Sequence, residues 1–547
     1  MKIKQYIKES PIILLIIIIF GATAFITNSC TDLEEEVYTE LMAEDFEPRE
    51  GDIASMLAPV YSAKRGLYFG WHGYFDFNEE SSDIIVTPAR PNGWVDGGVY
   101  RRMHLHTWTS EQSHVGGVWW SAFSGINSAN RVYHQFEQDR PDLGERKENI
   151  LAEIRVARAY YYYILLDAIG NVPIVTEWDV EEDFLPEQNT RQEVFDFIIE
   201  EVNEALPYLA ETADMSNYGR WTKWAAKALL ARVYLNAEVY VGEAMWDEVI
   251  TQCDDIIASG EYILESDYSA PFAFDNTGSP ELVMAVPFDD LHGPWFHLHM
   301  KTLHPQNQAT YNIEGAPWGG NAAIPQFIDT YHPDDTRLDD TWIKGQQFSS
   351  AGDTLYCNLG DDMMDEPLEF VNEMGDVYYA AEHEGYRIGK FEIPMGALGM
   401  LPNDFPVFRY ADILMMKAEA LLRQGNANEA ATYVTQVRER AFKDNPAAAE
   451  VTGDELMQGS SYNYGVIEEG EMIYEEGGDD IVYGRFLDEL GWEFAAEARR
   501  RTDLIRFDAF TTKPRLSFEG SEEYRRLMPV PEGQMETNPN LEQNPGY

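Results

Sequence analysis

The apolar positions of this chain fall into helical pairs, broken by two long stretches with no helical period. Residues 51 to about 68 carry one helical pattern. Ile154, Ala157, Tyr161, Ile164, Leu165 and Ala168 share one helix face that stops at Gly170, ahead of Pro173. Thr190 followed by Glu193 is a capping box, in which the two side chains satisfy free backbone donors. The helix it opens repeats Phe195, Ile198, Ile199, Val202, Leu206 and Leu209 at amphipathic spacing. Residues 221–240 and 244–258 predict another pair, joined around Val241-Gly242, and pairing returns at 409–441. There Ala418, Gly425 and Ala430 match three positions of the tetratricopeptide pattern, where small residues let antiparallel helices approach; its proline is missing. Residues 486–501 predict a last helix.

Residues 70–117 and 261–408 differ. Both are dense in Gly, Pro and aromatic residues, with turns at Pro91-Asn92-Gly93 and Gly97-Gly98. Residues 444–484 are acidic and loop-like, and the C-terminus is turn-rich. The expected fold is mainly α: a tetratricopeptide-like helix-pair scaffold (about 120–260 and 409–510) within a single domain over 51–547. It carries two large loop-rich insertions (about 70–117 and 261–408) with short strands.

The N-terminus reads differently again. Lys2, Lys4 and Lys8 precede an apolar run from Pro11 to Ile26, 16 residues long. A membrane-spanning helix needs roughly 20, so this is the layout of a signal peptide. Thr27, Asn28 and Ser29 before Cys30 resemble a bacterial lipobox, with Thr27 where Leu is usual. Residues 1–29 are therefore expected to be a lipoprotein signal peptide, Cys30 the acylated residue, and the acidic, aperiodic stretch 30–50 a tether.

Charge narrows the function. The chain holds 95 acidic against 40 basic residues, a net charge of −55. Such a surface repels phosphate backbones and excludes nucleic-acid binding as a role. It also disfavours anionic lipid headgroups, which leaves acyl chains as the membrane tether. Beyond Cys30 only Cys253 and Cys357 remain, enough for one long-range disulfide or two buried thiols.

Several segments together resemble the SusD/RagB family of Bacteroidota outer-membrane nutrient-uptake lipoproteins. They are Arg155 and Arg158 before Tyr160–Tyr163, running to Gly170 and Pro173; Gly219-Arg220-Trp221-Thr222 before Ala225–Leu235; and Phe408–Leu414. Glu497–Arg506 and the terminal Asn538–Leu541 and Gln543–Tyr547 complete the set, with Trp94–Gly98 and Thr107-Trp108-Thr109 similar to the family's N-terminal loops. The resemblance implies a tetratricopeptide-type half and a loop-rich half with a shallow glycan site. It also implies a partner, a SusC-like TonB-dependent β-barrel transporter, and a lipid-anchored, surface-exposed place on the outer membrane. The expected function is non-catalytic capture of oligosaccharides for delivery to that transporter. Peptide or other nutrient capture of RagB type and a secreted glycoside hydrolase are the alternatives.

No His-Glu-x-x-His, P-loop, Gly-x-Ser-x-Gly or dinucleotide fingerprint is present, so no catalytic residue is assigned. Asp83, Asp96, Asp361, Asp362 and Asp365 lack calcium-loop spacing. His292, His297, His299 and His304 are read as hydrogen-bonding or core residues, so neither metal nor cofactor is expected. Tryptophans say more, because a sugar offers a flat C–H face and a rim of hydroxyls. Trp119, Trp120, Trp221, Trp224, Trp246 and Trp492 lie in helical patterns and are expected in the core. Trp94, Trp295 and Trp318 sit among Pro and Gly, on loops that a rigid scaffold presents. The expected glycan-binding residues are these three, with Arg90, Asn92, Asp96 and Arg101 beside Trp94, and Tyr311 and Asn312 beside Trp318. Arg499, Arg500, Arg501 and Arg506 are read as structural pairing groups.

Overall fold

The computed structural model describes residues 50–69, 71–139, 143, 145–181, 183–289 and 291–547. The expected signal peptide, Cys30 and the tether up to residue 49 lie outside these residues. Long helices form where the apolar period is sustained. They are α1 (Glu50–Phe69), α4 (Ser113–Asp139), α5 (Glu145–Ala168), α6 (Arg191–Ala205), α7 (Lys223–Leu235) and α8 (Trp246–Ser259). Shorter helices are α2 (Tyr74–Glu80), α3 (Val99–His104) and α9 (Leu298–Thr302). After these come α10 (Tyr410–Arg423), α11 (Ala427–Arg438), α12 (Gly484–Phe494) and α13 (Arg500–Arg506). Neighbours pack in succession: α4 on α5, α5 on α6, α7 on α8, α8 on α10 and α10 on α11. The fold is mainly α, with few and short strands.

Local chemistry sets the helix ends. Thr190 and Glu193 form the predicted capping box at the start of α6. Gly425 takes a left-handed conformation (φ 85°) between α10 and α11, which a Cβ would disfavour. Ala418 and Ala430 are fully buried in that pair. The tyrosine run of α5 is structural: Tyr160 packs on Trp221 with ring centroids 5.2 Å apart. Tyr161 donates to the Val60 carbonyl at 2.5 Å.

Three expectations are corrected. The stretch 70–117 is not only loops and strands, since α2, α3 and the start of α4 lie in it. The helix expected over 486–501 is two, α12 and α13, separated by a break where Ala496 and Ala498 adopt φ of 61° and 60°. Trp120, expected in the core, is 60% exposed, whereas Trp119 beside it is buried. Successive residues on a helix point about 100° apart, so only one of the two faces inward. Cys253 and Cys357 are both buried free thiols, which resolves the two readings of these residues.

Two short sheets hold the insertions. Strand β2 (Leu282–Val286) pairs antiparallel with β4 (Phe405–Arg409) and closes most of the second insertion at its base. Strand β1 (Ile85–Val86) pairs with β3 (Ala322–Ala323), in register Ile85 with Ala323 and Val86 with Ala322. That pairing brings the two insertions together.

Beneath them runs a buried ionic network. Arg409 reaches Glu281 (2.9 Å), Glu493 (2.7 Å) and Glu497 (2.8 Å). Arg440 meets Glu281 and Glu493, and Arg337 meets Asp335, Glu489 and Glu493. Arg500 pairs with Asp83, Arg501 with Asp167, and Arg506 with Glu419 and Asp503. Removing one partner of such a pair strands a charge, at a cost of about 3–5 kcal/mol.

Candidate binding site

Where the two insertions meet, their turns build an open cleft of about 990 Å³. That is the size of a small-ligand site. Its aromatic lining comes from both insertions: Trp71 before α2, Trp94 and Tyr100 from the first, and Trp318 from the second. Trp71 and Trp318 lie 5.2 Å apart with planes inclined at 31°. His297 supports Trp71 at 4.9 Å and 31°. Trp71 is 47% exposed, so its ring is the open platform of the group.

Backbone contacts fix these rings. Trp318 N–H donates to the Met300 carbonyl (2.7 Å) and Gly320 N–H to that of Lys301 (2.6 Å), hanging the Trp318 turn on α9. Trp94 Nε1 and Asn92 Nδ2 both donate to the Trp318 carbonyl at 2.7 Å. The Trp94 ring lies flat against Gly320, where a Cβ would come within 2.6 Å of it. His72, Trp94 and Asp96 line the cleft with φ of 62°, 60° and 39°. Non-glycine residues in this region store strain, which clusters at functional sites.

Under the cleft, Lys301 is fully buried. It donates to Asp76 and Glu80, each at 2.8 Å, and lies 4.4 Å from the centre of the Tyr100 ring. Burial disfavours the Asp76 charge, yet the Lys301 ammonium holds its carboxyl below the usual range. Glu80 is pushed up, because burial outweighs its share of the same lysine. Burial lowers His72, His114 and His297, which keeps these rings neutral at neutral pH. At the rim stand Asp96, Glu111, Ser113 and Arg102. Arg102 is braced by Gln112 (2.8 Å) and the Gly97 carbonyl (2.7 Å).

The expected site residues divide. Trp94, Trp318, Asn92 and Asp96 converge on the cleft. Arg90 is buried behind it, donating to the carbonyls of Gly320 (2.9 Å) and Ala381 (2.7 Å), so it braces the turns. Arg101 points elsewhere, over the Tyr378 ring at 5.1 Å. Tyr311 and Asn312 end a short helix, where Asn312 accepts from Ser350 Oγ at 3.1 Å. Trp295 is exposed on another loop, its N–H directed at Met400 Sδ. None of Arg90, Arg101, Trp295, Tyr311 and Asn312 lines the cleft. Trp71 and Tyr100 were not expected, although Gly70-Trp71-His72-Gly73 carries the same glycine-flanked signal as Trp94 and Trp318.

The histidines serve packing and hydrogen bonding. His299 Nε2 meets the Leu398 carbonyl (2.9 Å), and His304 Nε2 meets Glu382 (2.8 Å). Among the described residues no three His, Cys, Asp or Glu side chains form a group able to hold a metal. The cleft offers an exposed indole, neutral imidazoles and a polar rim, which suit stacking on a flat, hydroxyl-rich ring.

Two family models match the chain. One, described as the SusD family, matches residues 325–547, and the other, described as starch-binding associating with outer membrane, matches 74–235. The chain is 26% identical over 440 residues to the starch-binding protein SusD of Bacteroides thetaiotaomicron, covering 72% of each. It superposes on a laminarin binding SusD-like protein with a TM-score of 0.68 at 20% identity, covering 92% of this chain and 100% of that one. Surface glycan-binding protein A of Bacteroides thetaiotaomicron, in complex with laminarihexaose, gives a TM-score of 0.69 at 17% identity, covering 90% and 99%.

Proposed function

Since this chain belongs to the SusD/RagB family, we propose that it is a non-catalytic glycan-binding lipoprotein of the outer-membrane surface. In this reading it captures oligosaccharides in the Trp71–Trp94–Trp318 cleft and delivers them to a SusC-like TonB-dependent transporter, anchored through acylated Cys30. The observation that carries the reading is the exposed Trp71 ring, backed by His297 and inclined towards Trp318. Relatives whose names record starch or laminarin binding support a glucan as ligand. The neutral imidazoles around the cleft and the acidic rim favour an uncharged sugar over a sulfated one.

The sugar's C–H face would stack on Trp71, while Asp96, Glu111, Ser113 and Arg102 exchange hydrogen bonds with its hydroxyls. Docking over a barrel would raise the effective ligand concentration at its mouth. The test is native affinity electrophoresis of the mature protein in gels containing starch or laminarin, with the recovered glycan sized afterwards. Retardation without chain shortening supports the reading. Migration unchanged in every glucan gel, or a shortened glycan, contradicts it.

A further inference from the structure

Helix α4 carries a surface away from the cleft. Ser113 at its start stands on the cleft rim, and Gly116, Gly117, Trp120, Ser124 and Asn127 follow on the same outward face of the helix. Val115, Val118, Trp119 and Ala122 between them are buried. The solvated face of a helix is where charges normally gather, and a quarter of this chain is charged. Yet residues 113–130 hold no Asp, Glu, Lys or Arg. The outward positions offer hydroxyls, an amide, two glycines and one indole instead.

That indole, Trp120, is 60% exposed and lines no part of the cleft. Side chains on a helix lean towards its N-terminus, which here is the cleft end. The Trp120 ring does so and lies over Gly116, where a Cβ would sit 3.7 Å from its Cδ1 and 3.8 Å from its Nε1. The indole N–H donates to no described residue. Gly117 makes the connection to the cleft. A Cβ there would fall 2.4 Å from the His72 carbonyl oxygen and 3.7 Å from that of Trp71. Only glycine lets α4 back so closely onto the segment that carries the open platform. Seven residues separate Ser113 from Trp120, about 10 Å along the helix axis.

We propose that Trp120 is an outer aromatic platform, taking a later ring of the neutral oligosaccharide whose first ring stacks on Trp71. The uncharged strip suits a ligand of hydroxyls and C–H faces, since no charge has to be desolvated when the chain lies along it. Trp120 serves in this way only if the cleft itself binds glycan, as proposed above; what α4 adds is a preference for long chains over short ones.

The test is calorimetric titration of the mature protein with a short and a long member of two glucan series, laminaribiose with laminarihexaose and maltose with maltoheptaose. In the series that binds, the long chain should bind at least about fivefold more tightly than the short one. Trp120→Ala should bring the two within about twofold by weakening the long chain alone, with an unchanged melting temperature. Trp120→Phe should restore part of the difference, and Trp71→Ala should weaken both chains. Equal affinity of the wild type for long and short chains would overturn the proposal. A length preference that survives Trp120→Ala, or a loss shared equally by both chains in that variant, would do the same. Binding of no member of either series by the folded wild type would overturn the reading of the cleft, and the outer platform with it.

Discussion

Lys301→Met should convert the support of the cleft into a pH-sensitive defect. Lys301 lies 2.8 Å from both Asp76 and Glu80. At an effective dielectric of 20, each pair is worth about 6 kcal/mol of gross attraction, most of it offset by desolvation. Methionine fills the lysine stem but leaves two buried carboxylates, a loss of about 3–5 kcal/mol at pH 7. Protonation limits that loss. Neutralising a carboxylate of ordinary pKa costs about 4 kcal/mol at pH 7 and about 1.5 kcal/mol at pH 5. In the variant both carboxyls lie above their unfolded pKa values, so stability falls as pH rises and returns as pH is lowered. In the wild type, Asp76 lies below its unfolded value, so its contribution is lost only on acidification through that range. Urea unfolding followed by tryptophan fluorescence at pH 7 and pH 5 measures both. The variant should lose about 3–5 kcal/mol at pH 7 and less than half as much at pH 5. Adding Asp76→Asn and Glu80→Gln should recover most of the loss. An equal loss at both pH values, or one under about 1 kcal/mol at pH 7, would refute the reasoning.

Other perturbations separate structural from ligand-facing groups. Burial opposes the Glu493 charge, but Arg440, Arg409 and Arg337 hold its carboxyl down to about 2. Its stabilisation is therefore present above the ordinary carboxylate range and lost as pH falls from there towards 2; a melting-temperature profile should be flatter in that window for Glu493→Gln. Gly320→Ala places a Cβ 2.6 Å from the Trp94 ring and should lower stability by about 1–3 kcal/mol while weakening glycan binding, measured by melting and affinity on the same samples. Trp295→Ala, far less enclosed, should change neither by more than about 0.5 kcal/mol.

The helical half was legible because its signals are local. The Thr190–Glu193 box, the α6 periodicity and Gly425 act within a few residues, and each reappears at its position. The break at Ala496 and Ala498 was not legible, since alanine favours helix and nothing nearby announces a left-handed turn. Distant partners decide it: Glu497 reaches Arg409 and Lys390, and Arg499, Arg500 and Arg501 meet Asp412, Asp83 and Asp167. In the cleft, glycine-flanked indoles were a usable signal, and Trp94 and Trp318 meet there. Adjacency in sequence was not. Arg90 is four residues from Trp94 yet turns into the β1–β3 side, to Gly320 and Ala381. Trp71 carries the glycine signal but follows a helical stretch, and its partner Trp318 is brought to it only by the joining of the insertions.

The most direct test of the account is the affinity of Trp71→Ala for the glucan that retards the wild type, with melting temperature recorded on the same protein. Trp71 is half exposed, so its removal should cost little stability and at least about 1–2 kcal/mol of binding, a roughly 5–30-fold weaker dissociation constant. Undiminished affinity in a folded Trp71→Ala protein would contradict the assignment of this cleft as the glycan site.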